Sequence, residues 1–208
     1  MAVLTFLASF LPLGVGVARY KKLNLAMRAF AAFCCVICVE LVVEFVLAFH
    51  HINNNFVSNA GLGIEALCLA AVYTLSVDMK SVRRVIIASA VVFVCVWVPD
   101  KMFFEDPKQI NEAMCIFSST YVIVISVIAL HTVARTTTNP LSDEPIFWIT
   151  SANILLSSGD IFVLGTSNEL LAMGVSYFTA AWYINWSLDI IAYILFTKAL
   201  LCKAAQHE

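Results

Sequence analysis

Five carboxylates stand in stretches otherwise built from apolar residues: Glu40, Glu44, Glu65, Asp160 and Asp189. In such surroundings a carboxyl can hold a cation, relay a proton, or hydrogen-bond one helix to another. An ionisable residue at bilayer depth costs at least about 2.5 kcal/mol on insertion scales, so these side chains are expected to turn toward a protein interior. Their spacing agrees. Glu40 and Glu44 are i and i+4, on one helical face. Thr150, Asn153, Ser157 and Asp160 form a second polar stripe, Asn185, Asp189, Tyr193 and Thr197 a third, and Ser58, Gly61, Glu65, Cys68 and Ser76 a fourth.

Beside Glu44 and Glu65 the chain reads "HHINNNFVSN", from His50 to Asn59. Together these features predict a polar pocket opening outward. Glu40, Glu44, Glu65, Asp160, Asp189, Asn153, Asn185, Trp186 and Tyr193 are its candidate ligand- or proton-binding residues, with His50, His51, Asn55 and Asn59 at its mouth. Trp186 lies one turn from Asp189 and could stack on a ligand, whereas Trp148, Tyr177, Trp182 and Tyr183 fit aromatic belts at membrane interfaces. No base is expected among the acids, because Arg28 falls at the far end of its helix. Five clustered acids cannot all be ionised unless a cation, a proton current or a cationic ligand balances them. A metal bound by His50, His51, Glu44 and Glu65 stays open, although adjacent histidines diverge by about 100 degrees on a helix. Nothing in the sequence calls for a cofactor.

The elements that must position these groups follow from composition. Of 208 residues 62% are hydrophobic and 12% charged, and the mean hydropathy is +0.91, values foreign to a soluble globular chain. Seven stretches approach or exceed the roughly 20 residues that cross a bilayer: Ala2 to Ala18, Leu25 to Phe49, Phe56 to Val77, Val85 to Phe104, Ala113 to Ala134, Ile146 to Gly165 and Ser176 to Leu201. Lacking the alternation of a barrel, they predict an all-α fold, a polytopic bundle of seven transmembrane helices occupying residues 1–208 as a single domain. Pro99, Asp100 and Lys101 predict a break at the outer end of the fourth span. Arg19, Lys21, Lys22, Arg28, Lys80, Arg83, Arg84, Arg135, Lys198 and Lys203 flank one side and only Lys101 and Lys108 the other, which predicts the N-terminus outside and the C-terminus inside the cell's inner membrane. The first span has no basic residue before it and no cleavage pattern after it, and so reads as retained. Little chain remains for an output domain, so any output is expected from a membrane or cytoplasmic partner protein.

A net charge of -2 gives no support to a nucleic-acid partner, whose phosphates would demand a basic face. Seven cysteines within or beside the spans argue against a disulfide scaffold, and Cys35 and Cys38 form a lone C-x-x-C pair without a second one. The sequence lacks G-x-S-x-G, H-E-x-x-H and a phosphate loop, so an enzyme is not indicated. Tyr193 occupies the place where an opsin-like last helix would carry its Schiff-base lysine.

Two resemblances bear on architecture. Aligning "EFVLAFHHINNN" with "DIFVLGTSNELL" sets Glu44 against Asp160 and resembles the parallel-repeat plan of SWEET-type sugar efflux transporters, without their Pro-Gln motif. The segments "LPLGVGVARYKKL", "HHINNNFVSNAGLGIEALCL", "FWITSANILLSSGDIFVL" and "WSLDIIAYILF" resemble an uncharacterised group of small seven-helix membrane proteins frequent in Bacteroidota. Some of that group are similar to the membrane portions of signalling proteins. The resemblance implies a sensing module for a small molecule or ion that acts with a partner. The acids alone leave two alternatives, a proton-coupled or small-solute transporter and a structural subunit of a membrane complex whose acids join helices.

Overall fold

The computed structural model describes residues 1–104, 106 and 111–202; Lys108 and Lys203 lie outside them. Among the described residues there are eight α-helices and no strand. Seven are long and apolar enough to span a membrane: α1 (Ala2–Arg19), α2 (Leu25–Phe49), α3 (Asn55–Ser76), α4 (Lys80–Phe103), α5 (Glu112–Thr136), α6 (Pro145–Val163) and α8 (Val175–Leu201). The eighth, α7 (Ser167–Met173), is a short helix in the connection before α8, and the sequence did not signal it.

Local chemistry sets the boundaries. The side chain of Asn24 accepts from the Met27 N–H at 2.9 Å and starts α2. Asn111 does the same for α5 through Met114 at 3.1 Å, and Pro145 opens α6 where its missing N–H costs nothing. At the end of α2, His51 is left-handed with φ 56. Its N–H bonds the Ala48 carbonyl, and the Ile52 N–H reaches back to Leu47 at 2.9 Å. This is the double hydrogen-bond pattern that satisfies the last carbonyls of a helix. Gly174, with φ 135, makes the corner between α7 and α8 that a residue with a side chain would resist.

The predicted break in the fourth span is absent, since α4 continues through Pro99 to Phe103. Proline forfeits only its own N–H, and lipid would leave the remaining backbone groups with no other partners.

Packing neighbours run α1–α2–α3–α5–α6–α8 and back to α1, a closed ring of six helices. The two seams between halves are parallel. At one, the Asn111 N–H ahead of α5 donates to Asn59 Oδ1 near the start of α3, at 3.1 Å. At the other, Thr5 of α1 donates to the Trp186 carbonyl, and Arg19 at the far end of α1 donates to the Leu200 carbonyl at 2.8 Å. The triplets α1–α2–α3 and α5–α6–α8 thus follow one another in the same order and direction, as a two-fold rotation about the ring axis would place them. That plan agrees with the parallel repeat expected from the alignment of Glu44 with Asp160.

Helix α4 stands outside the ring against α3 and α5, and only Ile86 and Phe93 on it are buried. Phe93 stacks on Phe117 and Tyr121, with ring centroids 5.5 and 4.7 Å apart. The Trp97 indole fills the notch left by Gly63, where a Cβ would collide with the ring. Exposed Val, Leu, Ile and Phe side chains cover the outward faces of the spans, a surface suited to hydrocarbon. The protein is a multi-pass helical membrane protein.

Replacing Gly63 with Val should push Trp97 out of its notch and destabilise the folded state by about 1–3 kcal/mol in a reversible unfolding assay. Gly14→Ala is the control: a Cβ there meets nothing within 4 Å, so stability should hold or rise by up to about 1 kcal/mol.

Candidate functional site: a carboxylate-lined cavity inside the ring

The ring encloses a cavity of about 620 Å³. All six ring helices line it, and neither α4 nor α7 does. It extends from the pole where α3 and α8 begin, marked by Asn54, Asn55, Phe178 and Thr179, down to Phe33 and Tyr193. At and beyond that level Phe196 packs edge to face against Phe30 and Phe33, Phe30 and Phe196 with centroids 5.2 Å apart, and the Phe30 and Phe33 rings are tilted on each other. Phe30 and Phe196 have no exposure at all, so this aromatic cluster seals the ring toward the second pole.

All five acids singled out in the sequence line this one space: Glu40 and Glu44 from α2, Glu65 from α3, Asp160 from α6 and Asp189 from α8. Glu65 interacts electrostatically with Glu40, Glu44 and Asp160. Asp189 does so with Asp160, Glu65 and Glu44, so the acids of the two halves feel one another across the cavity. The Ser58 hydroxyl donates to Glu44, Asn185 hydrogen-bonds Asp160, and Glu40 and Glu65 share a hydrogen bond. Gly61 makes room for the Glu40 carboxyl, which lies where a Cβ would be. None of the described residues lining the cavity is Lys, Arg or His.

Four polar atoms on these walls have no hydrogen-bond partner: Glu40 Oε2, Asn185 Oδ1, Ser118 Oγ and Trp182 Nε1. Ser118 and Asn185 are 1% and 6% exposed. Each of the four is shielded from the cavity space by its neighbours, and an unpaired buried polar group costs about 1–3 kcal/mol.

Most other candidates are brought to the same place. Asn153, Asn185, Trp186, Tyr193, Asn55 and Asn59 all line the cavity. Asn153 also donates to the Tyr73 hydroxyl at 3.1 Å and to the Ile149 carbonyl at 2.9 Å. Tyr73 in turn shares a 2.8 Å hydrogen bond with Ser126, and the three side chains form a polar lock below the cavity. The histidines are placed elsewhere. His50 and His51 are exposed, finish α2 as its cap, and do not line the cavity; an αL cap must turn the chain away from the helix axis. Of the sequence stripes, Gly61, Thr150, Cys68, Thr197 and Ser76 lie outside the lining. The hydroxyls of Thr150, Thr197 and Ser76 instead bond carbonyls of their own helices.

Sequence reading missed Ser118 and Ser119 of α5 and the aromatic wall of Phe6, Phe45, Phe178 and Trp182, whereas Asn54, part of the Asn-rich stretch set beside the pocket, does line it. The polar run Ser118-Ser119-Thr120 was the available signal for α5, in the half of the span nearer the cavity mouth. Trp182, assigned to a belt, faces inward with its centroid 6.0 Å from that of Trp186.

Among the described residues, no group of three or more His, Cys, Asp or Glu side chains is arranged to hold a metal ion. Cys38 is buried and donates to the Ser9 carbonyl at 3.2 Å, while Cys35 is exposed. No family model, curated protein or solved structure matches the chain.

Replacing Tyr73 with Phe should remove the shared partner of Ser126 and Asn153. The expected cost is about 0.5–2 kcal/mol of stability in detergent unfolding, with the ring preserved. Gly61→Ala should move the Glu40 carboxyl without a comparable loss, since the atoms in the way end a flexible side chain.

Proposed function

We propose that the protein is a non-enzymatic membrane receptor module, which takes a small ligand into the six-helix cavity and passes the resulting helix rearrangement to a partner protein. The observation that carries this reading is a cavity of about 620 Å³ lined by five carboxyls and sealed at one pole by Phe30, Phe33 and Phe196. A sealed inner end suits occupancy better than passage. The cavity also has the dimensions of a small-molecule site, for which about 300–1,000 Å³ is usual.

Charge supports an orientation. Arg19, Lys21, Lys22, Arg28, Lys80, Arg83, Arg84, Arg135 and Lys198 lie at or near the helix ends of the sealed pole, and Lys101 lies toward the other. With the basic pole cytoplasmic, the N-terminus and the cavity mouth face outward. A helical bundle of this kind belongs in the inner membrane rather than among outer-membrane barrels. The partner would then meet the basic cytoplasmic pole.

One observation favours a second reading, small-solute transport. The ring divides into two three-helix halves of the same order and direction, with α4 outside as their link, the plan expected of parallel-repeat carriers. Accumulation of a cavity ligand inside proteoliposomes would favour that reading over the receptor.

Native mass spectrometry of the protein released with its own lipids tests the receptor reading. The expected result is a small molecule bound to wild type and absent from Ser118→Leu, which fills the cavity from α5. Retention of that molecule by the filled variant would place it elsewhere and overturn the reading.

A further inference from the structure

The unpartnered atoms are not chemically neutral about what they would accept. Glu40 Oε2 and Asn185 Oδ1 are acceptors only, the Ser118 hydroxyl can accept or donate, and only Trp182 Nε1 must donate. The amide of Asn185 is oriented by its hydrogen bond to Asp160, which takes the donor side and leaves the oxygen bare. The lining side chains therefore favour a donor-rich ligand. Five carboxyls without an opposing base on the described walls add that it is positively charged. An ammonium group has three donors and no acceptor.

The acids and bare acceptors are also divided. Glu40, Glu44 and Glu65, with Glu40 Oε2, belong to the α1–α2–α3 half. Asp160 and Asp189, with Asn185 Oδ1, belong to the α5–α6–α8 half. Each half thus offers carboxyls to the same cavity. A compact metal ion suits this poorly, because the donors converge on no single coordination point and the space is about 620 Å³. Between the two sets stand Phe6, Phe45, Trp182 and Trp186, with Phe6 and Phe45 stacked at 5.3 Å. Such rings cover methylene chains and attract ammonium groups to their faces.

We infer that the cavity binds a linear aliphatic diamine, or a short polyamine, with one ammonium held at Glu40, Glu44 and Glu65, the other at Asp160, Asp189 and Asn185, and the methylene chain against the aromatic wall. This rests on the receptor reading of the same cavity and names its ligand class.

The test uses the full chain in phosphatidylcholine nanodiscs, where no anionic lipid competes for amines. Unfolding midpoints are titrated against 1,4-diaminobutane, 1-butylamine and butane-1,4-diol. The diamine should raise the midpoint saturably. The monoamine should bind at least about tenfold more weakly, the equivalent of one lost charge-assisted contact, and the diol should leave the midpoint unchanged. Glu40→Gln and Asp160→Asn, which keep side-chain shape, should each bring the diamine down to the affinity of the monoamine. Equal binding of monoamine and diamine by wild type, binding of the diol, or no amine response would overturn the proposal, and none of these outcomes depends on a variant that folds. A neutral co-purified molecule displaced by Ser118→Leu would overturn the diamine while the receptor reading stands. A cavity that holds no molecule of any class would remove both.

Discussion

A carboxyl group cannot face hydrocarbon, and this chain carries five of them at membrane depth. The ring is the arrangement that removes all five from lipid at once. Each of α2, α3, α6 and α8 turns its acid-bearing face inward, and α1 and α5 complete the wall with Thr5, Ser118 and Ser119. Helix α4, which has no acid in its middle, is the span left outside. Its side chains meet lipid on most of their surface, and its attachment rests on one glycine notch, one aromatic stack and a few polar ties. Which helix stands inside and which outside thus follows from the same electrostatic cost.

The two poles of the ring are built from different interactions. At the mouth the ties are polar: Asn59 accepts from the Asn111 backbone, and the Asn111 amide donates to Asp100 at 2.7 Å, joining α3, α5 and α4. At the sealed pole the ties are aromatic and cationic. Phe30, Phe33 and Phe196 fill the axis, Arg19 bonds the last turn of α8, and Arg28 bonds the Leu23 carbonyl at 2.9 Å while its guanidinium lies over Tyr20. Polar ties compete with water, whereas buried ring packing does not. Motion is therefore cheaper at the mouth than at the plug, as a site entered from one side requires.

Much of this was legible before any coordinates. Spans are long apolar runs, and their count and approximate limits follow from bilayer thickness alone. Helical spacing placed Glu40 with Glu44, and Asn185 with Asp189 and Tyr193, on single faces, and the cost of a lipid-facing acid turned those faces inward. The order of helices around the ring was harder, because sequence constrains which face is buried but not which neighbour buries it; only the alignment of Glu44 with Asp160 carried any of that information. The histidines were misleading for a local reason. His51 answers to the φ 56 conformation that ends α2, and a backbone requirement of that kind leaves no periodic trace. Trp182 and Trp186 were ambiguous between belt and cavity because an aromatic near a helix end satisfies both rules. Helix α7 was invisible since seven residues give too few turns for a pattern.

The division of acids between the halves has a mechanical consequence. Glu65 and Asp160 lie on opposite sides of the two seams, and their charges, when present, repel across a space of low polarisability. Positive charge between them converts that repulsion into attraction toward a common centre. The seams that respond are α3 against α5 and α8 against α1, each a contact between parallel helices tied near the mouth by one or two hydrogen bonds. A ligand shifts such an equilibrium only by the difference in its affinity for the two arrangements. Here the source of that difference is the separation of two acid sets, so a singly charged ligand, which can sit at one set alone, exerts less closing force than one that spans both. The far end of the α8–α1 seam carries Arg19 bonded to Leu200. Under the receptor reading, a change in the separation of the halves would reach the basic pole along these helices.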